Sequence, residues 1–189
     1  MNLQTWLQAK YLPISLIALM IMTRFEHFGG ALHLPDASLA VFFFAGFYRK
    51  KALLVFLLAL AALIDVVSIQ NGTSSYCISP AYVFLIPTYS VMFVAGYYCA
   101  KFKSLSLSSL GMQLSTVFLA ASVAFGISNY SFYLLAGRFD DLSLSQYAER
   151  VAQFYTPYVG SVLLYATFIY AVMLLVKALP ALKVNHKSA

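Results

Sequence analysis

The sequence predicts an all-α integral membrane protein of six transmembrane helices, with both termini cytoplasmic. Three observations lead there. The chain is 62% hydrophobic and only 10% charged. Its apolar residues gather in six separate runs. Threaded alternately across a bilayer, those runs sort the charges onto opposite sides. A soluble domain carries about 25% charged and 45–50% apolar residues, so a water-soluble fold could not hide this much apolar surface. In lipid the backbone must satisfy its own N–H and C=O groups, which selects helices. Residues 1–189 read as one transmembrane domain, undivided by any repeat, low-complexity stretch or long linker.

The elements follow in order. Residues 11–23, "YLPISLIALMIMT", come after a single Lys10 and lead to no small-residue cleavage site, so they are expected as a helix and not as a signal peptide. Residues 34–48 form a run shorter than the roughly 20 residues a spanning helix needs, and rely on flanking residues or a thin point of the bilayer. The run 52–69 carries Asp65 near its outer end. The run 79–100 opens with Pro80, suited to a first helical turn, and holds Pro87 and Gly96, both tolerated in membrane helices. The run 107–136 is longer than one crossing requires. The last is 154–179.

Charge then sets the orientation. One side collects Lys10, Arg49, Lys50, Lys51, Lys101, Lys103, Lys177, Lys183 and Lys187, with no acid among them. The other collects Arg24, Arg138 and Arg150 with all the acids: Glu26, Asp36, Asp65, Asp140, Asp141 and Glu149. Basic residues favour the cytoplasmic side, so the outward loops are 24–33, 70–78 and 137–153, and an odd number of spans would mix the two sets. The net charge of +6 is a topology signal and not a nucleic-acid footprint, since no basic stripe or stacking platform accompanies it. No phosphate-binding G-x-x-x-x-G-K-[ST] loop is present.

The outward side holds the chemistry. Cys77 lies in the polar loop "GTSSYCISPAY", while Cys99 lies near the inner end of the same helix, about 33 Å away at 1.5 Å per residue. A disulfide needs Cα atoms within about 7 Å, so the two cannot pair, and Cys99 reads as a small apolar filler. Cys77 is either a half-buried small residue or a ligand. A structural zinc site needs four protein ligands; His27 and His33 with Cys77 match no strong metal motif. A macrocyclic cofactor brings its own equatorial nitrogens, so one thiolate suffices as its axial ligand.

Asp65 is an ionisable residue inside a spanning segment, where such groups are costly and usually functional; the alternative is a carboxylate that caps or snorkels. Tyr82 follows Pro80 and points toward the loop or its neighbours, unless it is one more interfacial tyrosine. Arg150 ends the amphipathic stretch "DDLSLSQYAER" and is expected to pair with Asp65, to meet a ligand amide, or to form a solvated pair with Glu149 or Asp140. Asp36 suits the start of helix two structurally. Arg24, Glu26 and His27 form a loop network or contact ligand. Outer aromatics, among them Tyr76, Tyr130, Tyr133, Tyr147, Tyr155 and Tyr158, line a large amphipathic cavity or belong to the interfacial belt.

These residues resemble a family. Six helices, cytoplasmic termini, the length and ligand-type residues in the first, third and fifth loops look like substrate-binding S-components of energy-coupling factor (ECF) transporters. Within that class "RFEHFGGALHLPDASLAVFFFAGFY" and "IDVVSIQNGTSSYCISPAY" look like BtuM-type cobalamin transporters. The resemblance implies an S-component-like bundle in the bacterial inner membrane. It implies a transporter rather than an enzyme, with cobalt-ligand exchange or decyanation as an accessory step. Cys77 would be the axial cobalt ligand, with Asp65, Tyr82 and Arg150 positioning it and assisting replacement of the original ligand. His27 and Tyr76 would add contacts. Cobalamin is then the transported ligand, with no other cofactor, and the partners are the bilayer and an ECF energising module. One departure is that helix one lacks the A-x-x-x-A pattern with which many S-components meet that module; Ala18 stands alone. Two alternatives stay open: an S-component for another small vitamin, with Cys77 incidental, and a thiol- or haem-dependent membrane oxidoreductase. The second would normally carry histidines inside helices, whereas these lie in loops and, as His186, in the tail.

Overall fold

The computed structural model describes residues 12–26, 34–47, 51–72, 79–102 and 106–185. Helix is the regular structure found among them. In chain order they form α1 (Leu12–Glu26), α2 (Ser38–Gly46), α3 (Lys51–Gln70), a 3-10 turn (Pro80–Phe84) continuing into α4 (Leu85–Cys99), α5 (Leu107–Leu135), α6 (Leu144–Ala152) and α7 (Tyr155–Asn185). Four stretches are long and apolar enough to cross a membrane: Lys51–Gln70, Pro80–Cys99, Ser108–Leu135 and Tyr155–Leu175. That fits a multi-pass membrane protein. A shorter apolar helix covers Pro13–Arg24.

The second run departs most from expectation. Residues 34–37 are not helical, and α2 is only 9 residues long. Pro35 disfavours helix just before it. Asp36 then accepts hydrogen bonds from the Ser38 backbone N–H (2.9 Å) and hydroxyl (2.6 Å), which starts the helix two residues later. Every residue of α2 is buried. Its sequence, "SLAVFFFAG", is apolar around its whole circumference, the pattern of a helix enclosed by protein. The short run is thus a central post inside the bundle.

The partner of α2 is α4, and two glycines set how closely they pass. A Cβ added to Gly96 would strike the carbonyl oxygen of Phe43, and one added to Gly46 would strike that of Phe93. Small residues allow backbones to approach this way in membranes, where van der Waals packing drives association. Phe42 and Tyr89 stack across the contact, with centroids 4.4 Å apart and planes 4° apart. On the far side α5 packs against α4 and α7.

The two ends of the bundle are built differently. At one, buried Gln113 donates to the Phe102 carbonyl (3.2 Å) and accepts from the Tyr170 hydroxyl (2.5 Å), tying α5 to α7 and to the α4–α5 turn with neutral groups. At the other, the ends of α1 and α3 meet the starts of α2 and α4 around charged groups. Near α6, Ser143 and Gln146 form a reciprocal N-terminal cap. Buried Tyr147 fastens α6 against Phe139 (4.8 Å) and Tyr133 (5.0 Å).

Candidate functional site

The charged end is organised around Arg24. The sequence placed this residue in a loop, whereas α1 continues through Glu26, so Arg24 belongs to its last turn. Thr23 fixes the local geometry. Its hydroxyl donates back to Leu19 O (2.9 Å) and accepts from Ala37 N (3.1 Å), so the end of α1 is stitched to the start of α2. From α7, the Tyr165 hydroxyl donates to Pro35 O at 2.7 Å and holds the same segment.

Arg24 then reaches side chains at three other helices. Its Nε donates to Asp65 Oδ1 at 2.7 Å and its Nη2 to Asp65 Oδ2 at 2.6 Å, a two-pronged fork onto α3. Its Nη1 reaches Asp36 Oδ2 (3.1 Å), Ser38 Oγ (3.1 Å) and the Tyr89 hydroxyl (2.7 Å). The planar guanidinium suits this, since it offers five donors in fixed directions. The Arg24 and Asp65 side chains are 7% and 9% exposed, while Asp36 is 29% exposed and opens toward water. Charges so removed from solvent are tolerated only when paired and hydrogen-bonded. One cation faces two carboxylates, so the cluster carries a formal charge of −1.

Tyr82 completes the site. Pro80 opens the 3-10 turn, as the sequence predicts, and the Tyr82 hydroxyl donates to Asp65 Oδ2 at 2.7 Å. Asp65 Oδ2 therefore accepts from both Arg24 and Tyr82. Two buried hydroxyls, Ser68 Oγ three residues after Asp65 on α3 and Ser79 Oγ just before the turn, find no hydrogen-bond partner among the described residues. A separate aromatic group joins α5 and α7, where Phe125 meets Tyr155 (5.3 Å) and Tyr158 (5.2 Å) edge-on. Tyr155 also hydrogen-bonds Ser122 at 2.8 Å.

Of the residues singled out from sequence, Asp65 and Tyr82 are brought together. Arg150 is not joined to them. It lies on the exposed face of α6, and the cation on Asp65 is Arg24, delivered directly by the end of α1. Asp36 does more than start α2, since it also ion-pairs with Arg24. Tyr147 is buried packing, and Tyr130 is 53% exposed. Cys99 is a free, buried thiol. Cys77, Tyr76, His27 and His33 lie outside the described residues. Among the described residues no three His, Cys, Asp or Glu side chains gather as a metal site. Tyr89 and Ser38 were not anticipated. A usable signal was the placement of Arg24 and Asp65, opposite charges at the ends of two apolar runs that the threading puts on one side.

Fold and site together are those of an all-helical protein that has, among the described residues, four helices long and apolar enough to cross a membrane and a buried ion network at one end of its bundle. Comparison with protein-family models and with curated proteins gives no match to this chain.

Proposed function

We propose that this protein takes up cobalamin, or a related corrinoid, across the bacterial inner membrane as an S-component-like, BtuM-type transporter. This reading keeps six membrane segments with cytoplasmic termini, a topology in which the Arg24 network would face the periplasm. The Cys77 thiolate coordinates cobalt there and displaces the dimethylbenzimidazole base from the lower face. The observation that carries this reading is the Asp65–Tyr82 hydrogen bond (2.7 Å), because these residues bracket Cys77 in the chain and anchor both approaches to it. The chain has no phosphate-binding loop, so energy comes from outside it, with an ECF energising module as the proposed partner.

The test is the visible spectrum of the purified protein with added cobalamin. Thiolate coordination changes the cobalt absorbance of the wild type, and Cys77→Ala loses that change together with affinity. An unchanged spectrum and affinity in Cys77→Ala removes the ligand role. A wild type that binds no corrinoid removes the whole reading and favours a different vitamin.

A further inference from the structure

The hydrogen-bond directions at Asp65 constrain what this end of the bundle can recognise. A carboxylate only accepts. Asp65 Oδ1 takes the Arg24 Nε–H, and Oδ2 takes both an Arg24 Nη2–H and the Tyr82 O–H. The Tyr82 proton is therefore committed, and half-buried Tyr82 presents only oxygen lone pairs to anything that approaches it. The cation is committed as well, because Arg24 spends its donors on Asp65, Asp36, Ser38 and Tyr89. What Tyr82 still offers is a neutral acceptor; the hydroxyls of Ser68 and Ser79 are enclosed and lack partners among the described residues. Around them the cluster is formally −1.

We infer that Arg24 is a positioning residue which, through Asp65, turns Tyr82 into an acceptor, so that this end of the bundle selects a substrate bearing neutral carboxamide N–H donors over one bearing a carboxylate. The inference rests on the corrinoid reading and deepens it, since a corrinoid is fringed with acetamide and propionamide arms. A carboxylate arm would bring an acceptor to an acceptor and a negative charge to a negative cluster. A site whose polar groups are left unmatched discriminates strongly against the wrong ligand.

Two measurements on the full-length protein in lipid nanodiscs test this. The first needs no ligand. The C–O stretch of a tyrosine moves in opposite directions when its hydroxyl donates and when it accepts, and the Tyr82 band is assigned by subtracting the infrared spectrum of Tyr82→Phe. It is expected at the donor position in wild type and displaced in Arg24→Gln; should that variant not fold, Arg24→Lys, which keeps charge but not the fork, serves instead. The second compares binding of cobalamin with that of its mono-acids, in which one carboxamide is hydrolysed. The wild type is expected to prefer the amide for at least one arm by roughly ten- to a hundred-fold, the cost of one mismatched buried hydrogen bond. Tyr82→Phe loses this preference, and the Arg24 variant narrows it. Equal binding of amide and every mono-acid by wild type overturns the inference and leaves cobalamin uptake standing. A Tyr82 band unmoved in the Arg24 variant also overturns it. A moved band in a protein that binds no corrinoid upholds the positioning role and removes the uptake reading.

Discussion

Replacing Gly96 with alanine tests the central packing contact. The new methyl would collide with the Phe43 carbonyl oxygen, which is backbone and cannot swing aside, and the α-carbon of Gly46 lies 3.3 Å from the same point. Either α2 and α4 separate or the helices bend. Forcing a methyl into a closely packed contact costs about 1–3 kcal/mol. Alanine also favours helix over glycine by about 1 kcal/mol, so the control is Gly126→Ala, in α5, where an added Cβ meets nothing within 4 Å. Subtracting one variant from the other cancels the helix term and leaves the collision. For a chain of this size each kcal/mol moves the melting temperature by roughly 2–4 °C, so Gly96→Ala should melt roughly 2–12 °C below Gly126→Ala. The assay is thermal unfolding of both variants in one detergent, followed by intrinsic fluorescence. Equal melting temperatures, or a more stable Gly96→Ala, would refute the close crossing, and with it the placement of Asp36 and Ser38 opposite Tyr89.

Two further predictions follow from burial. Asp65→Leu strips Arg24 of its bidentate partner and should destabilise the protein by about 3–5 kcal/mol, whereas the double variant Arg24→Leu/Asp65→Leu should recover much of that loss, because an unpaired buried charge costs more than an absent pair; a double variant no more stable than Asp65→Leu in the same melting assay would count against the ion pair. Cys99 is 1% exposed, so in a Cys77→Ala background a maleimide should label nothing until denaturant is added, and rapid labelling of the folded protein would contradict the burial of α4's inner end.

Much of the helical plan was legible because lipid makes apolar runs and helices nearly the same thing. Boundaries failed where protein, and not lipid, surrounds the chain. Residues 34–48 look like a short crossing, yet Asp36 captures the Ser38 N–H and the apolar remainder is enclosed by its neighbours. The first helix was ended at Thr23 because a charge usually closes an apolar run, but Arg24 continues it, since its charge is met inside the protein by Asp65 and Asp36. Asp65 and Tyr82 were legible as an out-of-place carboxylate and a tyrosine after a helix-starting proline. Their direct bond was not, because it depends on how far the 3-10 turn carries Tyr82 toward α3. Arg150 does not reach Asp65, one of the alternatives left open for it, because spacing along the chain does not reveal which face of α6 looks outward.

The contrast between the two ends of the bundle bears on function. A buried ion pair adds little stability over apolar residues of the same shape, and often none. If cohesion were all that was needed, the Arg24 end could be closed as the other is, with a neutral pair such as Gln113 and Tyr170. Instead one guanidinium draws side chains from α2, α3 and α4 to the end of α1, and Asp65 passes its influence to Tyr82, which cohesion does not require. Such an arrangement fixes the direction of one hydroxyl proton and holds the starts of α2 and α4 in a set relation to the ends of α1 and α3. A site that must hold a substrate in one orientation needs both, which is why the polar chemistry of this chain is to be sought at the Arg24 end.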